Sequence, residues 1–220
     1  GLMSWGSNYT FLVSVLHDSG ELLAIYKPRK GERPLWDFPD GTLCQRETAS
    51  FLVSEALCWR IVPPTVLREG PHGIGSVQAF VNHDPQQHYF TFDTTLEAQM
   101  MRLAIFDAII NNADRKGGHC LLDEGDHLWG IDHGLAFNAE HKLRTVIWDF
   151  AGQPLPDDIL QDVMRFHERL CDPTDTLRAS FKNLLSDDEL DALQERTNNL
   201  LYAKSFPLPG SGPNRPWPPV

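Results

Sequence analysis

Residues 111–119, with the sequence NNADRKGGH, form a polar stretch between a long apolar segment and a short one. The apolar segment before the stretch predicts a buried helix, and the segment after it predicts a strand. Within the stretch, His119 follows Asp114 by five positions, and the two glycines between them allow the backbone to approach a ligand closely. This combination predicts a functional site, although a plain polar loop with a Gly-Gly turn has the same composition.

A second acidic motif follows 18 positions after Asp114, where Asp132 ends a predicted strand and Gly134 lies two residues further on. This pattern resembles the magnesium-binding D-F-G motif of kinases. The spacing from Asp114 to His119 is that between the base Asp and the metal-binding Asn of the kinase catalytic loop. Each motif alone is also compatible with an ordinary turn.

Two charged residues earlier in the chain fit the same chemistry. Lys27 ends the apolar strand segment Ala24-Ile25-Tyr26, where its ammonium group can point at a phosphate. The helix predicted over residues 45–58 carries Glu47 and Glu55, and either carboxylate could orient the lysine. Because these two glutamates lie on different helix faces, at least one of them is expected to face solvent.

The order of these features carries more weight than any one of them. A strand lysine, a helix glutamate, an extended segment at 78–84, Asp114 with His119, and Asp132 with Gly134 follow one another along the chain. Phosphoryl transfer needs this set of parts, since its catalysis consists mainly of positioning and charge neutralisation.

The hydrophobic pattern predicts an α+β chain with a β-rich N-lobe and a mainly helical C-lobe. A hairpin is predicted from the strand segments 10–15 and 22–27, and a further strand over 74–82. Capping boxes are predicted for Thr94 with Glu97 and for Ser186 with Glu189. The remaining predicted elements are a pair of short strands around residue 125 and helices over 95–112, 157–171 and 187–203.

Three regions follow from this pattern. Residues 1–82 are predicted to be the N-lobe, which ends in a hinge strand, and residues 83–204 the C-lobe. The Pro- and Gly-rich tail 205–220 has no regular structure, and is either a linker or a strap over the domain.

Composition narrows the function classes. The net charge of −11 disfavours broad binding to nucleic acid or to an anionic membrane. No segment reaches the roughly 18–20 apolar residues that span a bilayer, so stable membrane insertion is not expected. The four cysteines form no C-x-x-C pair, which favours reduced thiols in a cytoplasmic protein over a disulfide or zinc framework.

Five segments resemble the phosphatidylinositol 3-/4-kinase superfamily, most closely the type II phosphatidylinositol 4-kinases. The chain also resembles a bacterial kinase-like family. The resemblance to the lipid kinases covers about residues 10–140 and implies the bilobal, atypical protein-kinase fold. The matching segments are IYKP at 25–28, RETA at 46–49, GSVQAFV at 75–81, NADR at 112–115 and IDHGLAF at 131–137.

The resemblance implies a role for each matching charged residue. Lys27 would contact the phosphates of ATP, and Glu47 would pair with Lys27. Asp114 would orient or deprotonate the acceptor hydroxyl. Asp132 would bind Mg²⁺ or Mn²⁺, with His119 as a second metal ligand.

The resemblance also implies the position of the nucleotide. The strand from Gln78 through Phe80 to Val81 would be the adenine hinge, with backbone groups near Val81 binding the base. Ser7 and Asn8 would lie near the phosphates, although no G-x-G-x-x-G motif is present.

His119 departs from the resembled family, which has Asn at this position. Imidazole is a poor ligand for magnesium and a better one for manganese, zinc or iron. His119 could therefore coordinate a metal, form a hydrogen bond with a phosphate, or mark weakened catalysis.

The sequence thus predicts an ATP-dependent phosphotransferase whose acceptor is a lipid head group, a small metabolite or a protein hydroxyl. One alternative is a pseudokinase or nucleotide-binding regulator, with transfer of AMP as a variant. A non-enzymatic interaction module that binds through the Pro-rich tail is the other.

Overall fold

The N-terminal region is an antiparallel four-stranded sheet in the order β1-β2-β4-β3. The computed structural model describes residues 8–18 and 20–220. The predicted hairpin is present, with Phe11 opposite Tyr26 and Leu16 opposite Glu21. The strands are β1 (Phe11–His17), β2 (Gly20–Pro28), β3 (Thr65–Gly70) and β4 (Gly73–Ala79).

Helix α1 (Leu43–Ala56) packs on β3 and β4. Thr42 precedes the helix but makes no side-chain cap. Instead, the carboxylate of Glu32 accepts hydrogen bonds from the amides of Cys44 at 2.8 Å and Leu43 at 3.1 Å. A negative charge at this end also interacts favourably with the helix dipole, so the Pro-rich loop after β2 fixes the start of α1.

The C-terminal part is mainly helical and is built around α2, which is buried from Leu103 to Ile110. A two-stranded hairpin, β5–β6, follows α2 after the polar loop. One continuous core joins α1, α2 and the helices that follow. The elements are α2 (Glu97–Ile110), β5 (Cys120–Leu122), β6 (Leu128–Gly130), α3 (Asp157–Cys171), α4 (Thr176–Phe181) and α5 (Asp187–Ala203).

The predicted architecture, with a β-sheet N-terminal region and a helical C-terminal part, is confirmed. Strand β3 and helix α4 were not predicted. Within the part of the chain that the structure describes, no helix is both long enough and apolar enough to cross a bilayer.

The two predicted capping boxes have different outcomes. The one at Thr94 and Glu97 is wrong, because a 3₁₀ turn precedes α2 and Asp93 caps that turn by accepting from the amide of Thr95 at 2.8 Å. The second box is confirmed. The hydroxyl of Ser186 accepts from the amide of Glu189, and the Glu189 carboxylate accepts from the Ser186 amide at 2.9 Å.

The tail after Ala203 has no helix or strand and packs on the C-terminal part. Phe206 is buried against Phe150, with ring centroids 5.4 Å apart. Further along, the carbonyl of Asn214 accepts from the amide of Thr145 at 3.1 Å. The carbonyl of Pro219 accepts from the amide of Gly117 at 2.7 Å, so the tail lies across the loop that contains Asp114.

We expect Ser186→Ala to lower the free energy of unfolding by about 1 kcal/mol, because the amide of Glu189 in the first turn of α5 loses its side-chain acceptor. Urea unfolding measures this change. Ser211→Ala, in the exposed part of the tail, is the control and should stay within about 0.5 kcal/mol of the wild type. An equal effect of both substitutions would contradict the capping role.

Candidate functional site

A cleft of about 450 Å³ lies between the sheet and the helical part. Strands β2 and β4 supply one wall, and the loops around Asp114 and Asp132 supply the other. The volume falls within the range of sites for drug-sized ligands. Among the lining residues are Lys27, Glu47, Phe80, Val81, Asp114 and Asp132.

Lys27 lies near the end of β2, where it pairs with Ser76 of β4 and projects into the cleft. Its ammonium group forms an ion pair with Glu47 and another with Asp132, the second at 2.9 Å. Burial alone would lower the pKa of Lys27, but the charges of Asp132 and Glu47 raise the pKa above its ordinary value. The lysine therefore carries a fixed positive charge in the cleft.

Glu47 joins the two walls of the cleft. It is buried on α1, where one carboxylate oxygen contacts Lys27 and the other accepts from the amide of His133 at 3.0 Å. Glu55 is exposed, so it is the glutamate of α1 that faces solvent. Through Glu47, α1 is tied both to the lysine strand and to the segment that carries Asp132.

Asp132 adopts a left-handed backbone conformation with φ of 61°, which is uncommon for a residue other than glycine. Its side chain is half exposed; Oδ1 accepts from Lys27, and Oδ2 lies 3.4 Å from Nε2 of His119. The charge of Lys27 lowers the pKa of Asp132 well below its ordinary range, despite the opposing effect of burial. The carboxylate is therefore ionised and faces the cleft.

Asp114 lies in the loop after α2, where its amide donates to the side chain of Asn112 at 3.1 Å. Its carboxylate lies 3.4 Å from the ammonium group of Lys116. Burial raises the pKa of Asp114, and Asp132 raises it further, while Lys116 lowers it. A carboxylate with a raised pKa is better suited to accept a proton from a hydroxyl.

The ring of His119 lies beside this pair of aspartates, and its two nitrogens have different neighbours. Nδ1 is 3.0 Å from the carbonyl oxygen of Asp114, and Nε2 faces Asp132. Burial lowers the pKa of His119 to about 4, although the charge of Asp132 acts in the opposite direction. The ring is therefore neutral at physiological pH.

Arg115 is completely buried and holds the loops of the site together. Nε and Nη2 donate to the carboxylate of Asp107, a residue of α2, at 2.9–3.1 Å. Nη1 donates to the carbonyls of His119 and Ile131, and Nη2 also contacts Nε2 of His133 at 2.6 Å. All five N–H groups of the guanidinium therefore have partners on α2, on the Asp114 loop or on the Asp132 segment.

The predicted hinge also lines the cleft. Gln78 is buried and donates to the hydroxyl of Thr65 at 2.9 Å, whereas Phe80 and Val81 continue along the cleft wall. The carbonyl of Val81 lies 3.0 Å from Nδ1 of His83. The roles of these residues toward a base stay predictions.

At the other end of the cleft, Asn8 lines the cavity, and its side-chain oxygen accepts from the amide of Arg33 at 2.8 Å. Ser7 lies outside the described residues.

The sequence analysis missed the buried pair of Asp107 and Arg115. One signal was present, because Asp107 is the only charged residue between Leu103 and Ile110 in a helix that was predicted to be buried. A buried carboxylate needs a partner, and an arginine eight residues later was available.

The donor set fits a nucleotide with a divalent cation. Lys27 offers an ammonium group to phosphates, and Asp132 with His119 offers an oxygen and a nitrogen to one cation. Among the residues described, no three His, Cys, Asp or Glu side chains converge on a possible metal position. Nucleotide-dependent cations are typically held by one or two protein ligands, with phosphate oxygens and water completing the shell.

Three comparisons with known proteins identify the family and the fold. A family model described as phosphatidylinositol 3- and 4-kinase matches residues 65–171. Protein Rv2133c of Mycobacterium tuberculosis is 37% identical over 253 residues, which cover 99% of this chain and 90% of that protein.

Two solved structures have a similar fold. A proinflammatory kinase of Helicobacter pylori, CtkA, superposes with a TM-score of 0.57 at 12% identity, over 94% of this chain and 91% of that one. A Golgi casein kinase with Mn/ADP bound superposes with a TM-score of 0.54 at 15% identity, over 92% and 71% respectively. The fold is therefore the bilobal kinase fold.

The buried pair of Arg115 and Asp107 gives a test by double-mutant cycle. We expect Arg115→Met to lower the free energy of unfolding by roughly 3–5 kcal/mol, because it leaves a buried carboxylate without its main partner. Urea unfolding of Arg115→Met, Asp107→Leu and the double variant measures the coupling. The double variant should lose less stability than the sum of the two single losses, or should fold where Arg115→Met does not. Additive losses would contradict the coupling.

Proposed function

Since this chain belongs to the phosphatidylinositol 3-/4-kinase-like superfamily, in one family with the mycobacterial protein, we propose that it is an ATP-dependent phosphotransferase. The acceptor is an alcohol group of a lipid head group, a small metabolite or a protein. The chain's enzymatic role, its use of ATP and the roles of the individual residues all belong to this proposal.

One observation carries the proposal: the ammonium group of Lys27 lies between Glu47 and Asp132 at the wall of the cleft. Phosphoryl transfer in kinases requires a lysine that is oriented by a helix glutamate, together with an aspartate that binds the metal. An isolated ion pair would not need the third residue. The arrangement supports a site in which the lysine contacts phosphates and Asp132 faces a cation.

The remaining residues have separate roles toward the base, the phosphates and the cation. The segment from Gln78 to Val81, which lines the cleft, would contact the adenine, and Asn8 at the other end of the cleft would lie toward the phosphates. A bound Mg²⁺ or Mn²⁺ neutralises phosphate charge, and Asp132 and His119 are the residues that would hold it.

Asp114 accepts the proton of the acceptor hydroxyl as that oxygen attacks the γ-phosphorus, and ADP leaves with the electron pair of the broken P–O bond. The raised pKa of Asp114 supports this role.

We also propose that residues 1–82 and 83–204 act as the two lobes around this cleft, with the tail 205–220 fastened to the second lobe. The protein works in the cytoplasm on ATP and its acceptor, without nucleic acid. Lys142, in the segment that meets the substrate in the resembled kinases, is already paired with Asp37 at 3.1 Å and lies over the ring of Trp36. Because Lys142 already has an ionic partner, its charge does not indicate whether the acceptor is negatively charged.

His119 favours a second candidate, a nucleotide-binding regulator that transfers nothing. An imidazole at the second metal position changes the cation that orients the phosphates, and this change could separate binding from transfer. The two candidates predict the same binding of ATP and different products.

We expect metal-dependent ATP turnover that falls at least about 100-fold in Asp114→Asn, because a general base contributes roughly 10²–10⁴-fold. Binding of ATP should persist in this variant, with a gain in stability of about 2.7 kcal/mol when the ligand is at 100 times its Kd. Turnover should also be lost in Asp132→Asn. Phosphate release, labelling of the protein itself and a melting assay provide the three measurements.

Asp126→Asn is the matched control, because Asp126 is exposed in the β5–β6 turn at φ of 59°, a conformation that asparagine adopts readily. Turnover that persists in both site variants would overturn the assignment of the site. Binding of ATP without transfer would select the regulator, and mass spectrometry would distinguish transfer of AMP from transfer of phosphate. Absence of any stabilisation by ATP would favour the interaction module.

A further inference from the structure

We propose that residues 214–219 of the tail hold the loop of Asp114 and His119 in place, so that the tail is a positioning element of the candidate site. Two backbone carbonyls of the tail, those of Asn214 and Pro219, carry this role. The effect of the tail on the loop can be measured without any reaction, whereas its effect on turnover rests on the proposed function.

The loop contains a turn that has little support of its own. A 3₁₀ turn runs from Gly117 to His119, and its first two residues are glycines, which lack side chains for packing and leave the backbone conformationally free. Arg115 holds the end of this turn, where Nη1 donates to the carbonyl of His119 at 3.1 Å. The amide at the start of the turn needs a separate partner, because the first amides of a helical turn have none within it.

The tail supplies that partner. The amide of Gly117 donates to the carbonyl of Pro219 at 2.7 Å, and Gly117 is buried, so this donor would otherwise lack an acceptor. A Cβ atom on Gly117 would lie 2.9 Å from the ring of Phe90 and 3.5 Å from the carbonyl oxygen of Pro219. Gly117 is therefore the point at which the turn is held between Phe90 and the tail.

A second contact fixes the tail beside the same loop. The carbonyl of Asn214 accepts from the amide of Thr145 at 3.1 Å and from the indole Nε1 of Trp148 at 2.9 Å. Thr145 in turn forms a parallel β-bridge with Arg115. Because Arg115 and Gly117 are two residues apart, both contacts of the tail act on one short stretch of the loop.

The turn is connected to Asp114 in two ways. The ammonium group of Lys116, which precedes the turn, lies 3.4 Å from the carboxylate of Asp114. His119 ends the turn, and its Nδ1 lies 3.0 Å from the carbonyl oxygen of Asp114. A shift of the turn would therefore change the surroundings of the proposed base. A misplacement of about 1 Å at a reacting group can lower a rate by about 100-fold.

The composition of the tail suits a fixed strap. Four of the seven residues from 213 to 219 are prolines. Proline restricts the unfolded chain, which lowers the entropy lost when the segment becomes ordered, and it has no N–H group that needs a partner. Both contacts use backbone carbonyls, and the side chains of Arg215 and Trp217 are exposed. A change of an exposed side chain should therefore leave the strap in place.

Deletion of residues 216–220 tests this role, because it removes the carbonyl of Pro219 and keeps Asn214. We expect the amide of Gly117 to exchange its hydrogen roughly fivefold faster or more, which is the effect expected from the loss of one hydrogen bond. Hydrogen exchange followed by NMR measures this rate. The amide of Leu103, in the buried core, should stay protected and thereby show that the variant is folded. Arg215→Ala keeps both carbonyls and should leave the rate at Gly117 unchanged.

Turnover provides the functional readout. With ATP and Mg²⁺, we expect kcat for phosphate release to fall at least about tenfold in the deletion variant. The KM for ATP should change less than about twofold, because no residue of the tail lines the cleft. Arg215→Ala should keep both constants. Gly117→Ala in the full chain is a second variant, since its methyl group would press on the ring of Phe90 while the tail stays intact. It should show the same fall in kcat and faster exchange at residue 117.

An unchanged exchange rate at Gly117 in the folded deletion variant would overturn the inference, whatever its turnover. Faster exchange with an unchanged kcat would also overturn it, because the tail would then hold the loop without positioning the reaction. If the deletion variant does not fold, Gly117→Ala decides by the same two measurements. A wild type that neither binds nor turns over ATP would contradict the proposed function alone, and the exchange at Gly117 would still decide whether the tail holds the loop.

Discussion

The site depends on the buried ion pair between Arg115 and Asp107. The guanidinium group is not exposed to solvent, so each of its N–H groups needs a hydrogen-bond partner within the protein. Asp107 fixes the group to the central helix α2, and the remaining donors reach the carbonyls of His119 and Ile131. The fork geometry of an arginine thus sets the distance between two loops that are apart in sequence. A lysine, with a single compact charge, could not contact all of these groups.

Glu47 links the loops held by Arg115 to the N-terminal sheet. Glu47 binds Lys27 with one oxygen and the amide of His133 with the other, so the position of α1 determines where the lysine and the Asp132 segment meet. Helix α1 is itself held at the domain centre by Arg46, which is buried, donates to the carbonyl of Ala136 at 2.6 Å and pairs with Glu189. Ion pairs of Lys27, Arg46 and Arg115 with carboxylates therefore fix the cleft from both sides.

The sequence alone predicted the elements whose signals lie within a few neighbouring residues. Ser186 and Glu189 form their box because both partners lie within one turn, and the strands of the β1–β2 hairpin are adjacent along the chain. Strand β3 was missed because its pairing with β4 depends on the surrounding fold, while its own residues alternate irregularly. The capping box predicted at Thr94 was wrong because Asp93 caps a 3₁₀ turn that precedes α2 and includes Thr94. The order of charged motifs predicted which residues approach one another, whereas the support from Arg115 depends on burial that local patterns do not encode.

The ion pair between Lys27 and Asp132 joins the lysine of β2 to the residue that the proposed function assigns to the metal. Under the proposed function, phosphates and a cation would draw Lys27 away from Oδ1 of Asp132, because the ammonium group and the cation would compete for the same carboxylate. Glu47 would keep its contact with Lys27, since its second oxygen accepts from the amide of His133. The positive charge beside Asp132 would then come from the cation, which would keep the carboxylate ionised. The two oxygens of Asp132 thus have different neighbours, with Lys27 at Oδ1 and His119 at Oδ2.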